Sequence, residues 1–381
     1  MSSVYVVKEG KTEPMKVVRV KNEDKELQTI LENNLDLLPG DQIDPEAPCR
    51  WMLIRREMPV PDPSKGTDRW NIDFFLVDQN ATPTFVECKR YLDTRARREV
   101  VGQVLEYAAN AQYFWNADDI RKHTESTAQE KQTTVDELFR AVQSELADSS
   151  EDFFKEVEKK LKASDIRIVF FLEQAPAELK RLVEFMNNQM GSVDVLLVEA
   201  RQYEANGVRV VVPTLFGFTE KIRQAKLEVS TQKNRQPVAV DWESFEKNAE
   251  QRELGKQIVD AMRKVYETCK SLQADISWGR GTMIGSFSPK WQSLHSTTSP
   301  FSICSNGRLD MHFSAFHKSE IAEAFSATFG KSLLAGGWEL SPGYQNTYLS
   351  IESTKWVPHV DTLITALRDA LEKTASQPQL L

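Results

Sequence analysis

Residues 85–89, Phe-Val-Glu-Cys-Lys, set an acid and a base two positions apart in an apolar run. Side chains of a strand alternate between faces, so Glu87 and Lys89 share one face while Val86 and Cys88 share the other. Upstream, Asp73 sits among Ile72, Phe74, Phe75 and Leu76. The segments "NIDFFLV" (71–77) and "TFVECK" (84–89) are rich in β-branched and aromatic residues and flank the turn-prone "DQNATP", which predicts a hairpin. Pairing across that turn brings the Asp73 carboxylate towards that of Glu87.

Two ionised carboxylates on an apolar sheet repel each other and lose hydration, which is expensive unless a cation joins them. Mg²⁺, which favours carboxylate oxygens, several retained waters and a substrate phosphate, fits two protein ligands and an open face, and Mn²⁺ should substitute for it. Beside such an ion, Lys89 could orient or help deprotonate an attacking water and offset charge on a phosphate. Phosphodiester hydrolysis is the reaction this set suits. Its uncatalysed rate is so low that a site must supply on the order of 20 kcal/mol.

The next element is a predicted helix from Asp93, "DTRARREVVGQVLEYAANAQYFW", with Val100, Val104, Tyr107, Ala108 and Ala111 on one face. It also carries Gln103 and Tyr107, four apart and so on one side. Taken in order, Asp73, then Glu87-Cys88-Lys89 on the second strand of a hairpin, then Gln103-Val-Leu-Glu-Tyr107 resemble the PD-(D/E)XK nuclease superfamily. Within it they are similar to the branch with a trailing Q-x-x-x-Y that includes RecB-type nuclease domains and NucS-like endonucleases. The resemblance covers roughly residues 20–220, including "ELQTILENNLDLLP" and "AELKRLVEFMNNQMGSVDVLLVEARQYE".

That resemblance implies Asp73 and Glu87 as metal ligands, Lys89 as the catalytic lysine, and Gln103 and Tyr107 lining the site beside the substrate phosphates. It also implies a further acid on the first helix, for which Glu26 and Glu32 both qualify and Asp24 lies close. Ile72 stands where the family's motif nominally has proline. The activity implied is that of a Mg²⁺-dependent endonuclease acting on DNA, in defence against foreign DNA or in DNA repair. The preference for DNA over RNA rests on the resemblance alone. Two rivals stand beside it: a silent copy that only binds nucleic acid or assembles with a partner, and a nuclease gated by a small ligand of the C-terminal part.

"KRYLDTRARR" (89–98) sets Lys89, Arg90, Arg95, Arg97 and Arg98 against Asp93 alone. As function this is a local phosphate-binding patch with Arg90, Arg95 and Arg98 as substrate contacts. As plain structure it is a solvated helix start, with Glu99 paired to Arg95. Trp70 could stack on a base or fill a core. The histidines at 123, 295, 312, 317 and 359 form no zinc pattern, and "GRGTMIG" (279–285) lacks the G-K-[ST] of a P-loop. Trp278, Trp291, Trp338, Trp356 and Tyr344 make either a ligand pocket or a small domain's core, and the core reading is the simpler.

The 381 residues carry a formal net charge of -8 and a sequence pI of about 5.4, which excludes a passive nucleic-acid coat and demands that any polyanion be held locally. Cysteines 49, 88, 269 and 304 show no metal or redox spacing and read as reduced thiols. No basic-then-apolar leader stands at the N-terminus and no apolar run reaches the roughly 18 residues a membrane helix needs, so a cytoplasmic protein is expected.

The fold expected is α/β: a restriction-endonuclease-like mixed sheet flanked by helices, plus a smaller C-terminal α+β domain. Residues 1–222 form the first domain, with a helical insertion over 117–165 and strand, helix, strand, strand over 165–217. A linker is expected over 223–240, where apolar periodicity fades. Residues 241–381 form the second domain, for sensing, partner binding or substrate selection. A homodimer would suit two cuts in a duplex, but no interface pattern points to one.

Overall fold

The computed structural model describes the chain apart from residues 1–3, 9, 46, 63–67, 91–95, 234–236, 297, 317–318 and 376–381, and apart from the side chains of 68–69, 96–99, 227–233, 315–316 and 375. Two compact units emerge. The first comprises residues 1–44, 48–135 and 151–234, and the second 45–47, 136–150 and 235–381. The chain is thus mixed α/β, with a large mixed sheet flanked by helices in one unit and a separate antiparallel sheet in the other.

In the first unit, β1 (Tyr5–Lys8) and β2 (Lys11–Pro14) form a small hairpin. The large sheet comprises β3 (Lys16–Val18), β4 (Trp51–Pro61), β5 (Asp68–Asp78), β6 (Pro83–Lys89), β7 (Ile166–Leu172), β8 (Val193–Ala205) and β9 (Val208–Phe216). Strands β4, β5 and β6 are antiparallel neighbours, whereas β6, β7 and β8 run parallel. β8 carries β9 along one edge over residues 197–205, which leaves its other edge to β7 and then β3. The β8–β9 turn is Asn206-Gly207, with φ of 52° and 75°, the left-handed pair that a two-residue hairpin turn requires.

The pleat sorts the sheet's residues into two cores. Phe74, Leu76, Val86, Cys88, Val169, Phe171, Leu196, Val198 and Ala200 face Leu27, Leu31 and Leu38 of the opening helical segment. That segment begins as a π-wound turn, Asp24–Gln28, and continues as α1 (Thr29–Asn33). The leucine spacing of "NEDKELQTILENNLDLLPG" suggests a helix up to Pro39-Gly40, but α1 stops earlier, at Asn33. A short α2 (Gly40–Ile43) then leads into β4.

On the opposite face, α3 (Ala96–Phe114) buries Val100, Val104, Tyr107, Ala108 and Ala111 as its periodicity predicts. Trp115 just beyond it packs on Phe75 and Phe85 with ring centroids 4.8 and 6.0 Å away. α4 (Ala117–Glu130) starts on an Asn116–Asp119 capping box and docks on β4, where Thr127 Oγ1 donates to the Ile54 carbonyl at 2.7 Å. α6 (Ser150–Lys162) buries Phe153, Phe154, Val157 and Leu161. Between β7 and β8 lies α7 (Ala177–Gln189), the crossover that parallel neighbours need.

Two boundaries differ from the sequence reading. The insertion over 117–165 is not one body: α5 (Val135–Val142) and the turn after it group with the second unit from Asp136 to Ser150. Side-chain chemistry makes it so, because Gln143 Nε2 donates to the Leu349 carbonyl at 3.0 Å, Arg308 Nη2 to the Ser144 carbonyl at 3.0 Å and Ser286 Oγ to Glu145 Oε1 at 2.6 Å. Gly279 and Gly281 admit this segment, since a Cβ at either would collide with Glu145. The expected linker over 223–240 instead opens as helix α8 (Glu220–Lys233), tied to the end of α2 through Arg223 with Asp44 and to β8 through Lys226 with Asp194.

The second unit is α+β, as expected. Its antiparallel sheet runs β10 (Asp275–Trp278), β11 (Ser286–Lys290), β12 (Phe301–Cys304), β13 (Leu309–Met311), β14 (Leu349–Ile351) in that order. Helices α9 (Trp242–Glu250), α10 (Lys256–Ser271), α11 (Glu320–Ala335) and α13 (Val360–Ala375) cover it, and α12 (Ser353–Trp356) is a single turn. The aromatics are core. Trp291, Trp338, Trp356 and Tyr344 are buried, and Trp278 packs among Phe245, Tyr266 and Phe287. Among the described residues no helix is long and apolar enough to cross a membrane.

Candidate active site

The β5–β6 ladder pairs Phe74 with Val86 and Phe75 with Phe85, so one step further along Asp73 stands opposite Glu87 on the face that α3 covers. Regular backbone pairing ends there. Asp73 Oδ2 takes over and accepts from the Cys88 amide at 2.6 Å, which fixes the carboxylate beside β6.

Glu87 is 1% exposed. Its Oε1 lies 2.8 Å from Lys89 Nζ, while Oε2 is buried with no hydrogen-bond partner. An ionised carboxylate taken out of water costs several kcal/mol, more than one charge-assisted hydrogen bond of about 1.5–3 kcal/mol returns. The two acids therefore resist ionising together. Burial, then the Glu87 charge, pushes Asp73 up to about 8. Burial also raises Glu87, against the pull of the Lys89 ammonium.

Lys89 responds in the opposite sense. Burial alone would lower it, but Glu87, Asp73 and Glu23 around it outweigh that and raise it above the usual lysine range. With no cation on those acids, they hold it as an ammonium. Burial lifts the Tyr107 phenol, against the Gln103 hydrogen bond. Gln103 Nε2 donates to Tyr107 Oη, so the hydroxyl proton points elsewhere, and the Tyr107 ring leans on Trp70 with centroids 6.2 Å apart.

Neither first-helix acid singled out from the sequence reaches this group. Glu26 Oε2 accepts from the amides of Lys21 and Asn22, and its other oxygen pairs with Arg209 at 3.6 Å, so it caps its own segment. Glu32 pairs with Arg56 at 2.6 Å, and Asp24 pairs with the same guanidinium. The acid that arrives is Glu23. Its Oε1 is 3.5 Å from Lys89 Nζ and its Oε2 accepts from the Arg90 amide at 3.0 Å. The one sequence cue to it was the acidic run "NEDKEL".

A second acid was missed from the sequence. Glu57 on β4 lies between Arg56 and Met58, whose partners on β5 are Phe74 and Ile72, so it stands opposite Asp73. Glu23 and Glu57 line an open cleft of about 430 Å³ with Lys21, Asn22, Asp24, Gln28 and Arg90. Arg90 is held there through its Nη1, which donates to the Lys21 carbonyl at 2.8 Å. Of the other expected substrate contacts, Trp70 is half-buried beside Tyr107, whereas Arg95 and the side chain of Arg98 lie outside the described residues.

The donor set suits a hard divalent ion. Asp73 and Glu87 offer two adjacent carboxylates, one oxygen lacks any partner, and repulsion between them is what a cation relieves. Among the described residues no three His, Cys, Asp or Glu side chains converge on one point, so each such ion would keep waters beside two protein ligands. Compared with protein-family models, curated proteins and solved structures, the chain matches none.

Proposed function

We propose that this chain is a metal-dependent nuclease that hydrolyses phosphodiester bonds of DNA, with a restriction-endonuclease-like first unit. The observation that carries the reading is the buried Asp73–Glu87 pair with Lys89 on it and one Glu87 oxygen without a partner. Uncompensated, that arrangement lowers stability, and a catalytic cation is its simplest physical reason. The choice of DNA, and a role in defence against foreign DNA or in repair, rests on the sequence resemblance described above.

Asp73 and Glu87 would hold Mg²⁺, which when bound supplies Lewis acidity and a more acidic water. Lys89, fixed by Glu87 and Glu23, presents an ammonium to the phosphate oxygens and helps orient the nucleophile. Tyr107, oriented by Gln103, offers a hydroxyl proton to a neighbouring phosphate oxygen. Arg90 and Lys21 at the cleft are the cations nearest the acid pair for a polyanion, but Glu23, Asp24 and Glu57 line the same cleft and offset them, so holding the substrate would fall largely to the metal ion.

One observation favours the rival, a silent nucleic-acid-binding or assembly module: the Lys89–Glu87 ion pair at 2.8 Å partly satisfies the site without any metal. Cleavage of supercoiled plasmid and of end-labelled single-stranded, duplex and branched DNA, with Mg²⁺, Mn²⁺ or EDTA, separates the two. Cutting that needs metal and vanishes in Lys89→Ala supports the nuclease. Binding without cutting on every substrate supports the silent module.

A further inference from the structure

The cleft beside the acid pair is lined by more acids than cations, so a polyanion needs positive charge from elsewhere on the chain to hold it. The segment that leads into the cleft carries such charge. Lys8, Lys11, Lys16 and Lys21 are exposed along it, whereas Glu13 accepts from Asn206 Nδ2 at 2.7 Å and Arg19 is engaged by Glu173 and Gln174. Glu9 lies outside the described residues. The β1–β2 hairpin in this segment is exposed along nearly its whole length. Its register sets Tyr5, Val7, Thr12 and Pro14 on one face, and on the other Lys8 directly opposite Lys11. Tyr5 is 55% and Val7 69% exposed. A two-stranded ribbon is marginal in water, and like charges set opposite each other weaken it further. A partner that covers the apolar face and brings anions to the lysines relieves both costs.

The hairpin stands at the same end of the sheet as Lys89. Across the parallel strands Lys89 is level with Leu172 and Glu199, and β8 runs on past Glu199 to Ala205. There β3 pairs with it, Val17 opposite Tyr203, and Glu13 of β2 is tied to the β8–β9 turn. Four residues along the strand at about 3.3 Å each, and two strand spacings of about 4.8 Å, put this base on the order of 15 Å from Lys89. That is about half a turn of duplex DNA. From the end of β3 the chain then runs through Arg19 and Val20 to Lys21 at the cleft. We propose that the β1–β2 hairpin is an arm that grips duplex DNA from about half a turn away from the bond that is cut. Lys8 and Lys11 reach backbone phosphates, and Tyr5 and Val7 lie against base edges and thymine methyls in the groove. The inference rests on the metal-dependent nuclease reading and narrows its substrate to the duplex, because a two-stranded ribbon fits the major groove and a single strand offers none.

The test measures binding apart from cutting, by fluorescence anisotropy of a labelled duplex of about three helical turns, with Mg²⁺, on the full chain carrying Lys89→Ala to slow cleavage. In that parent, Lys8→Ala with Lys11→Ala should weaken duplex binding about tenfold and flatten the plot of log affinity against log salt by about 1.8, the worth of two phosphate contacts. Tyr5→Ser with Val7→Thr should weaken binding several-fold and leave that slope unchanged. All four side chains are exposed, so both variants should melt with the parent. Single-stranded DNA of the same length should lose less affinity than the duplex, and equal losses overturn the duplex assignment. Equal duplex affinity and slope in the parent and both variants overturns the arm and leaves the nuclease reading to plasmid cleavage by wild type. A change in sedimentation mass without a change in DNA affinity also overturns it, and assigns the hairpin to a second copy of the chain. A parent that binds no duplex overturns it too. Wild type that cuts nothing, while the variants lose duplex affinity as expected, overturns the nuclease reading and supports the arm on a silent DNA-binding module.

Discussion

The Lys89 ammonium lies 2.8 Å from one oxygen of the Glu87 carboxylate, and the other oxygen of that carboxylate has no hydrogen-bond partner although it is buried. Lysine thus satisfies one oxygen of the acid and leaves the other without a partner. Because neighbouring carboxylates hold Lys89 protonated, its contribution should not titrate in the neutral range. Lys89→Ala should lower cleavage by at least about 100-fold and leave the shape of the pH–rate profile between pH 6 and 9 unchanged. A profile that loses a basic limb in the variant would instead mean that Lys89 acts as a base.

Asp73 opposes Glu87 with both side chains out of water, so removing one charge should help the fold and harm the chemistry. Asp73→Asn keeps an oxygen to accept from the Cys88 amide and deletes the repulsion. In EDTA the variant should melt above wild type at pH 8, while cleavage falls by about 100-fold or more. Differential scanning calorimetry checks the first half. A variant less stable than wild type at that pH would show that Asp73 is compensated by contacts other than those described.

The same pair sets a pH dependence of stability. Asp73 titrates near 8 when folded against 3.8 in the ordinary range, so between those values the folded chain holds a proton that the unfolded chain has lost. Stability from this group is therefore full below about pH 4 and is lost as pH rises through about 8. Glu87 and Asp36, also raised by burial, act in the same direction. In EDTA the melting temperature should fall from pH 5.5 to 8.5. Saturating Mg²⁺ or Mn²⁺ should flatten or reverse that trend, because the ion displaces the proton it competes with.

Tyr107 and Gln103 are joined by a hydrogen bond in which the phenol oxygen accepts. Tyr107→Phe removes the hydroxyl and keeps the ring against Trp70, so the fold should hold within about 0.5–1.5 kcal/mol. If the hydroxyl donates to a substrate phosphate, cleavage should drop by about tenfold through kcat, since that is the worth of one hydrogen bond of about 1.4 kcal/mol. An unchanged rate would reduce the pair to core packing.

The hairpin, the acid pair and the α3 face were legible because each depends on local spacing: alternation sets Glu87 and Lys89 together, and helical period sets Val100, Val104, Tyr107 and Ala111 together. Glu23 was not, because its approach depends on a π-wound turn over Asp24–Gln28 that shifts the phase on which a choice among helix acids relies. Glu57 escaped for a different reason. Its place opposite Asp73 depends on a register shift between Leu53 and Arg55, and a one-residue slip exchanges the two faces of a strand. In the C-terminal unit, β10 and α11 went unseen because "DISW" is too short to show a period and α11 is apolar on most sides. The grouping of 136–150 with that unit rests on contacts remote in sequence, such as Arg308 with Ser144, which no local pattern encodes.

Arg308 makes that last point testable. It is 7% exposed, pairs with Asp310 at 2.8 Å and donates to the Ser144 carbonyl, so one guanidinium closes both a buried ion pair and the dock of residues 136–150. Arg308→Met leaves Asp310 buried without its cation, a change that costs about 3–5 kcal/mol. The paired substitution of Arg308→Met with Asp310→Leu should recover most of that loss, since an apolar pair of similar volume carries no desolvation penalty. Hydrogen exchange separates the two roles. Both variants should lose protection over 136–150, because both lack the donor to Ser144, whereas only the single variant should lose melting temperature to the full extent. If the double variant restores protection over 136–150 as well, packing and not the Arg308 hydrogen bond holds that segment to the sheet.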